Sequence, residues 1–122
     1  MYTIFIKTHF DAAHQLHGYP GECCELHGHT WKIGVKVNAE ETDKIGISYD
    51  FKKLKSITES VIAAFDHKHI NQVKPFDTVN PTAENLSRYI YQKIAEQLPR
   101  QVKMSEVTLW ESDNYALTYR EE

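Results

Sequence analysis

Hydrophobic and polar residues alternate from Tyr2 to His14, where Tyr2, Ile4, Ile6, Thr8, Phe10, Ala12 and His14 share one face if the chain stays extended. Residues 15–26 carry two glycines, a proline and two cysteines and read as a loop. Alternation returns with Trp31, Ile33, Val35 and Val37, which predicts a second strand over residues 27–38. Residues 39–49 are polar and punctuated by Gly46, a hairpin connection or crossover. The period then changes. Asp50 is placed to cap a helix whose apolar positions are Phe51, Leu54, Ile57, Val61, Ile62 and Phe65. A long connection over 66–80 contains Pro75, and Asn80-Pro81 opens a second helix with proline at its first position. In that helix Leu86, Ile90, Ile94 and Leu98 recur every four residues, and Pro99 ends it. Val107 and Leu109 begin a third strand. The turn-like Glu111-Ser112-Asp113-Asn114 joins it to a fourth holding Tyr115, Leu117 and Tyr119. The order β-β-α-α-β-β predicts an α+β domain: a four-stranded antiparallel sheet with both helices on one face.

Length and charge narrow the picture. A chain of 122 residues suits one domain, 1–122, and no linker, repeat or low-complexity segment divides it. With 41% hydrophobic and 25% charged residues it has an ordinary globular balance. A net charge of −3 supplies no field to hold nucleic acid or an anionic membrane; the run Lys52, Lys53, Lys55 reads as a solvated helix face. No apolar run approaches the roughly 20 residues of a membrane span, and the first seven residues lack the apolar core of a secretory signal, so a cytoplasmic protein is expected. Cys23 and Cys24 are adjacent, which disfavours a bridge between them.

The seven histidines carry the chemistry. His27 and His29 are two apart at a strand entry, so both imidazoles leave the same face. His14 ends the strand expected beside them. Three neutral imidazoles with an open fourth position form the pattern of a catalytic zinc site; Cys23 competes as a fourth ligand, and an H-x-H pair alone is more often chance or a set of core hydrogen bonds. Asp66-His67 follows the first helix. A carboxylate beside an imidazole fixes its tautomer and raises its basicity, and such a histidine draws the proton from a nearby thiol. Cys23, His67 and Asp66 are therefore a candidate relay, although each also has a plain structural role open to it. Glu111 ends an otherwise apolar strand face, at a sheet edge or on a pocket floor, where its two oxygens suit a ring bearing adjacent N–H donors. Glu84 is a first-turn acid that favours the helix dipole.

In this order, Phe10-Asp11-Ala12-Ala13-His14, Cys23-Cys24-Glu25-Leu26-His27-Gly28-His29, Tyr49-Asp50-Phe51, Phe65-Asp66-His67-Lys68-His69-Ile70-Asn71, Asn80-Pro81-Thr82-Ala83-Glu84 and Glu111 resemble the 6-pyruvoyl-tetrahydropterin synthase family over nearly the whole chain. Within it the chain is similar to the 6-carboxy-tetrahydropterin synthases of queuosine biosynthesis, which share the C-x-x-x-H-G-H spacing. The resemblance implies a tunnelling fold whose sheets join between subunits into a barrel, and a homo-oligomer with sites at subunit interfaces. It implies Zn2+ on His14, His27 and His29, Cys23 as the catalytic cysteine with His67 and Asp66, and Glu111 as the anchor of the pterin ring. Thr82 and Glu84 fall in the segment that shapes the pterin pocket. The implied reaction converts 7,8-dihydroneopterin triphosphate to 6-carboxy-5,6,7,8-tetrahydropterin with loss of acetaldehyde and triphosphate. Sister readings are a pyruvoyl synthase or an aldolase-like cleavage, and, from another class, a zinc- or pterin-binding protein without turnover. Cys24 and Glu25 depart from the pattern, since some relatives use a glutamate in this loop for the aldolase-like route. His69 reads as a surface histidine.

Overall fold

A computed structural model describes residues 1–18 and 25–121. The elements are β1 (Tyr2–His14), β2 (His27–Ala39), α1 (Phe51–Ile62), β3 (Lys68–His69), a 3-10 turn (Ile70–Gln72), α2 (Ala83–Ala95), β4 (Val102–Ser112) and β5 (Tyr115–Tyr119). They build one sheet in the order β3-β1-β2-β4-β5. The expectation of four antiparallel strands needs correcting. The fifth strand, β3, is two residues long and runs parallel to β1 through Ala12–Lys68 and Ala13–His69. Two residues are too few to display a period, so nothing in the sequence pattern announces it.

The long strands follow from their alternation. β1 and β2 pair antiparallel so that Ile4 faces Val37, Ile6 faces Val35 and Phe10 faces Trp31. The inward residues of β1, β2 and β4 form one core with both helices, including Trp31, Ile33, Val35, Val107 and Leu109, each fully buried. Burying that face fixes the register, because a slip of one residue would turn every apolar side chain outward. The same register sets His14 opposite His27 at the end of the pair.

The Asp50 side chain caps α1, accepting from the Lys52 N–H at 2.8 Å. Leu54, Thr58, Val61 and Ile62 are its buried residues, whereas Phe51 is 65% exposed and Phe65 lies beyond its end, fully buried. Helix α2 begins two residues later than expected, at Ala83 rather than Pro81. Pro81 stands outside it, and the Thr82 side chain is the cap, accepting from the Asn85 N–H at 3.1 Å; a capping hydroxyl outweighs the preference for proline at the first helical position. Leu86, Ile90 and Ile94 are buried, while Leu98, past the helix end, packs against the core.

The connection over 66–80 is structural. Phe76 is buried and meets Phe65 and Tyr89 edge-on. Asn71 exchanges two hydrogen bonds with the Gln15 backbone (2.8 and 2.9 Å), and Asn80 does the same with His17 (2.9 and 3.0 Å). These two side chains fasten the chain where it leaves β1. The sheet face away from the helices carries Phe5 and Trp110, which close over Gly34; a Cβ on Gly34 would stand 2.8 Å from the Phe5 ring.

Candidate metal centre and carboxylate–histidine pair

His14, His27 and His29 leave the helix-facing side of the sheet just beyond its apolar core. Their rings stand 4.5, 5.2 and 4.7 Å apart, centroid to centroid. His14 is fully buried. Its Nδ1–H donates to the Pro81 carbonyl at 2.8 Å, and the Nδ1–H of His27 donates to the Glu25 carbonyl at 2.7 Å. A carbonyl only accepts, so both bonds place the proton on Nδ1 and leave the Nε2 lone pair free. Trp31 packs edge-on against His14 and His29, at 4.9 and 5.2 Å, and fixes their orientation.

Among the described residues, the Nε2 atoms of His14 and His29 are buried without a hydrogen-bond partner. Leaving such atoms unsatisfied costs about 1–3 kcal/mol each. The metal-binding atoms of His14, His27, His29 and Glu111 all lie within 4.8 Å of one another. The residues therefore fit a divalent metal, and a set of imidazoles with one carboxylate is a zinc-type donor set. Glu111 comes from β4, on the same face as Leu109, and its Oε1 lies 3.4 Å from the His29 Nε2. The expected ring anchor thus stands beside the imidazoles rather than apart from them.

Burial holds the imidazoles of His14 and His29 below the usual histidine range, with the Pro81 carbonyl and the Glu111 charge partly opposing it. The sign follows from linkage. With folded values lowered, the unfolded chain takes up these protons first, so the contribution to stability is complete above about pH 6.5 and is lost as pH falls below it. The Asp11 backbone N–H, and then His67, hold the Asp66 carboxyl below its ordinary value, so its contribution is lost only below about pH 4. The urea midpoint of metal-free protein is accordingly expected to be lower at pH 5.5 than at pH 7.5; equal midpoints would remove burial of the neutral imidazoles from the account.

Asp66 and His67 form a second group. The Asp66 Oδ1 lies 3.0 Å from the His67 Nδ1 and accepts the Asp11 N–H at 3.0 Å. The ligand atoms of Asp11, Asp66 and His67 lie within 4.8 Å of one another. This pair belongs to the other side of β1. Phe10, Ala12 and His14 point toward the helices, whereas Asp11 points away, with its register partner Thr30. A cavity of about 560 Å³ on that side is lined by Asp11, Ala13, Thr30, His67 and His69, among others. His69 is half-buried rather than a surface residue; its Nε2 is enclosed without a partner among the described residues. Thr82 is half-buried at the α2 cap and Glu84 is exposed in the first turn. Cys23 and Cys24 lie outside the described residues. The sequence reading missed Asp11, Asn71, Asn80 and Pro81 as supports. All four contribute through backbone atoms or amide side chains, which no side-chain motif marks.

The match to known proteins extends over the chain that carries both groups. The family model described as 6-pyruvoyl tetrahydropterin synthase matches residues 3–122. The chain belongs to the 6-pyruvoyl tetrahydropterin synthase family. Among curated relatives, the family member is 36% identical over 114 residues to the dihydroneopterin monophosphate aldolase of Pyrococcus furiosus, covering 93% of each chain. It is 30% identical over 146 aligned positions to the 6-carboxy-5,6,7,8-tetrahydropterin synthase of Haemophilus influenzae, covering 99% of this chain and 100% of the relative. Its fold superposes on the 6-pyruvoyl tetrahydropterin synthase of Caenorhabditis elegans with a TM-score of 0.86 at 28% identity, covering 99% and 96% of the two chains. The chain therefore has the tunnelling fold of an enzyme family that works on tetrahydropterins. Among the described residues, no helix is long and apolar enough to cross a membrane.

Proposed function

We propose that the protein is a zinc-dependent carbon–carbon lyase of the cytoplasm that converts 7,8-dihydroneopterin triphosphate to 6-carboxy-5,6,7,8-tetrahydropterin, releasing acetaldehyde and triphosphate, as queuosine biosynthesis requires. The observation that carries this reading is the convergence of imidazole lone pairs beside the Glu111 carboxylate. Zinc on His14, His27 and His29 would supply a Lewis acid for the side-chain oxygens of the substrate. Asp66 accepts the His67 Nδ1–H, leaving Nε2 to take the thiol proton of Cys23, so that the thiolate moves protons on the substrate side chain. Glu111 accepts from adjacent N–H groups of the pterin ring. Thr82, whose oxygen accepts from Asn85, keeps its own O–H free to donate to the ring, and Glu84 borders that pocket.

Asp11, whose backbone holds the Asp66–His67 pair at the sheet edge, faces the side of β1 opposite the His14 imidazole. One substrate in reach of both is served by the imidazoles of one copy and the pair of another. This supports a homo-oligomer with its sites between subunits.

A second reading, aldolase-like cleavage to a 6-hydroxymethyl pterin, is favoured by Glu25, whose carbonyl is tied to the metal-facing His27. It is favoured also by the 36% identity to the Pyrococcus aldolase. Zinc-loaded protein, incubated separately with 7,8-dihydroneopterin triphosphate and monophosphate, is expected to give 6-carboxytetrahydropterin and acetaldehyde by mass spectrometry, and Cys23→Ala to give none. A 6-hydroxymethyl product that survives in Cys23→Ala would move the assignment to the aldolase. A pyruvoyl product would move it to the synthase. Bound pterin without turnover would make the protein a binding protein.

A further inference from the structure

We propose that Asp11, fixed by the Thr30 hydroxyl, is a positioning residue that sets the Asp66–His67 pair. Three groups of Asp11 are committed to this task. Its backbone N–H donates to the Asp66 Oδ1 at 3.0 Å, its carbonyl accepts the His67 N–H at 2.6 Å, and its Oδ1 accepts the Thr30 hydroxyl at 2.6 Å. The Asp66 Oδ1 that receives the Asp11 N–H is the atom that faces the His67 Nδ1. A shift of the Asp11 peptide therefore moves both partners at once.

The backbone of His67 gives an independent reason. Its φ is +59°, the left-handed region. For a residue with a Cβ this conformation is strained and persists only where surroundings impose it. His67 is 78% exposed at its side chain, so packing does not impose it. The hydrogen bond of its N–H to Asp11 does. An exposed Thr–Asp cross-strand contact by itself stabilises a sheet only slightly. Here it ties a β1 residue that bonds two catalytic candidates to the β2 residue that follows His29. It links the strand carrying two metal-facing imidazoles to the geometry of the pair on the other face.

A catalytic consequence rests on the function proposed above; the positioning itself does not, and two readouts separate them. Thr30→Val removes the hydroxyl and nearly preserves the shape. Expected are a fall in kcat of roughly 10- to 100-fold, KM within about twofold, unchanged zinc content, and recovery in Thr30→Ser. Hydrogen exchange of the His67 amide, followed by NMR, is expected to speed up in Thr30→Val and to return to the native rate in Thr30→Ser. If native protein turns over no pterin, the proposed reaction fails and the exchange measurement alone decides the positioning. Native exchange at His67 in Thr30→Val would overturn the inference. So would a loss of kcat that Thr30→Ser does not restore, or that merely tracks lost zinc or a lowered melting temperature.

Discussion

In a His27→Ala variant, zinc and turnover are expected to disappear together. The choice of residue matters. His14 is fully buried, and its removal would open a cavity as well as delete a ligand. His27 is half-buried at the start of β2, where the partner strand ends, so its ring can be lost with the fold retained. The Glu25 carbonyl that receives its Nδ1–H lies in an exposed loop and can turn to water. Loss of an outer-shell partner alone costs about 10- to 100-fold in affinity or activity, and loss of a ligand exceeds that. Zinc content is thus expected to fall from near one per chain to a small fraction, with activity below detection. The urea midpoint of the metal-free variant should stay near that of the metal-free native chain. Full zinc occupancy with native turnover would sink the ligand assignment.

The largest effect on stability is expected at Trp31. It is fully buried, stacks on Phe10 at 6.1 Å, donates its Nε1–H to the Ala12 carbonyl at 3.3 Å, and presents its edges to His14 and His29. Trp31→Ala removes a large ring from the junction between the core and the imidazoles and deletes its hydrogen bond to Ala12. Such changes cost about 3–5 kcal/mol, a large share of the stability of a domain this size. Zinc affinity should fall with it, because two imidazoles lose the wall that orients them. Urea unfolding and zinc titration measure the two effects. A loss under about 1 kcal/mol would mean that Trp31 is not central to the core.

The parts of this fold legible in the sequence are those with a period long enough to read. β1 and β2 are examples, because burial of one face forces alternation over a dozen residues. His27 and His29 were legible for the same reason: a spacing of two on a strand permits only one face. The two-residue β3 was not, nor was the exposure of Phe51, which the helical period places with the apolar residues although it stands at the open end of α1. The start of α2 was legible only as Pro81; the hydrogen bond from the Asn85 N–H to the Thr82 hydroxyl is what puts the cap one residue beyond that proline. Asp66-His67 could be read as a pair from adjacency. Its place on the far side of β1 could not, since that depends on Asp11 offering both its backbone groups at the point where β1 meets β3.

The bond from His14 to Pro81 has a consequence for how this sequence can drift. Pro81 immediately precedes the cap of α2, so its carbonyl moves with that helix, and the helix is seated by Leu86, Ile90 and Ile94. Under the proposed zinc site, selection for the ion acts also on a helix that contributes no ligand. Arg88 and Gln92 lie exposed on α2, while a lost or added methylene beneath Leu86 is expected to move the Pro81 carbonyl and with it the His14 ring. Lineages that change their metal preference should carry the trace of it in the apolar rows of α2 as well as among the histidines.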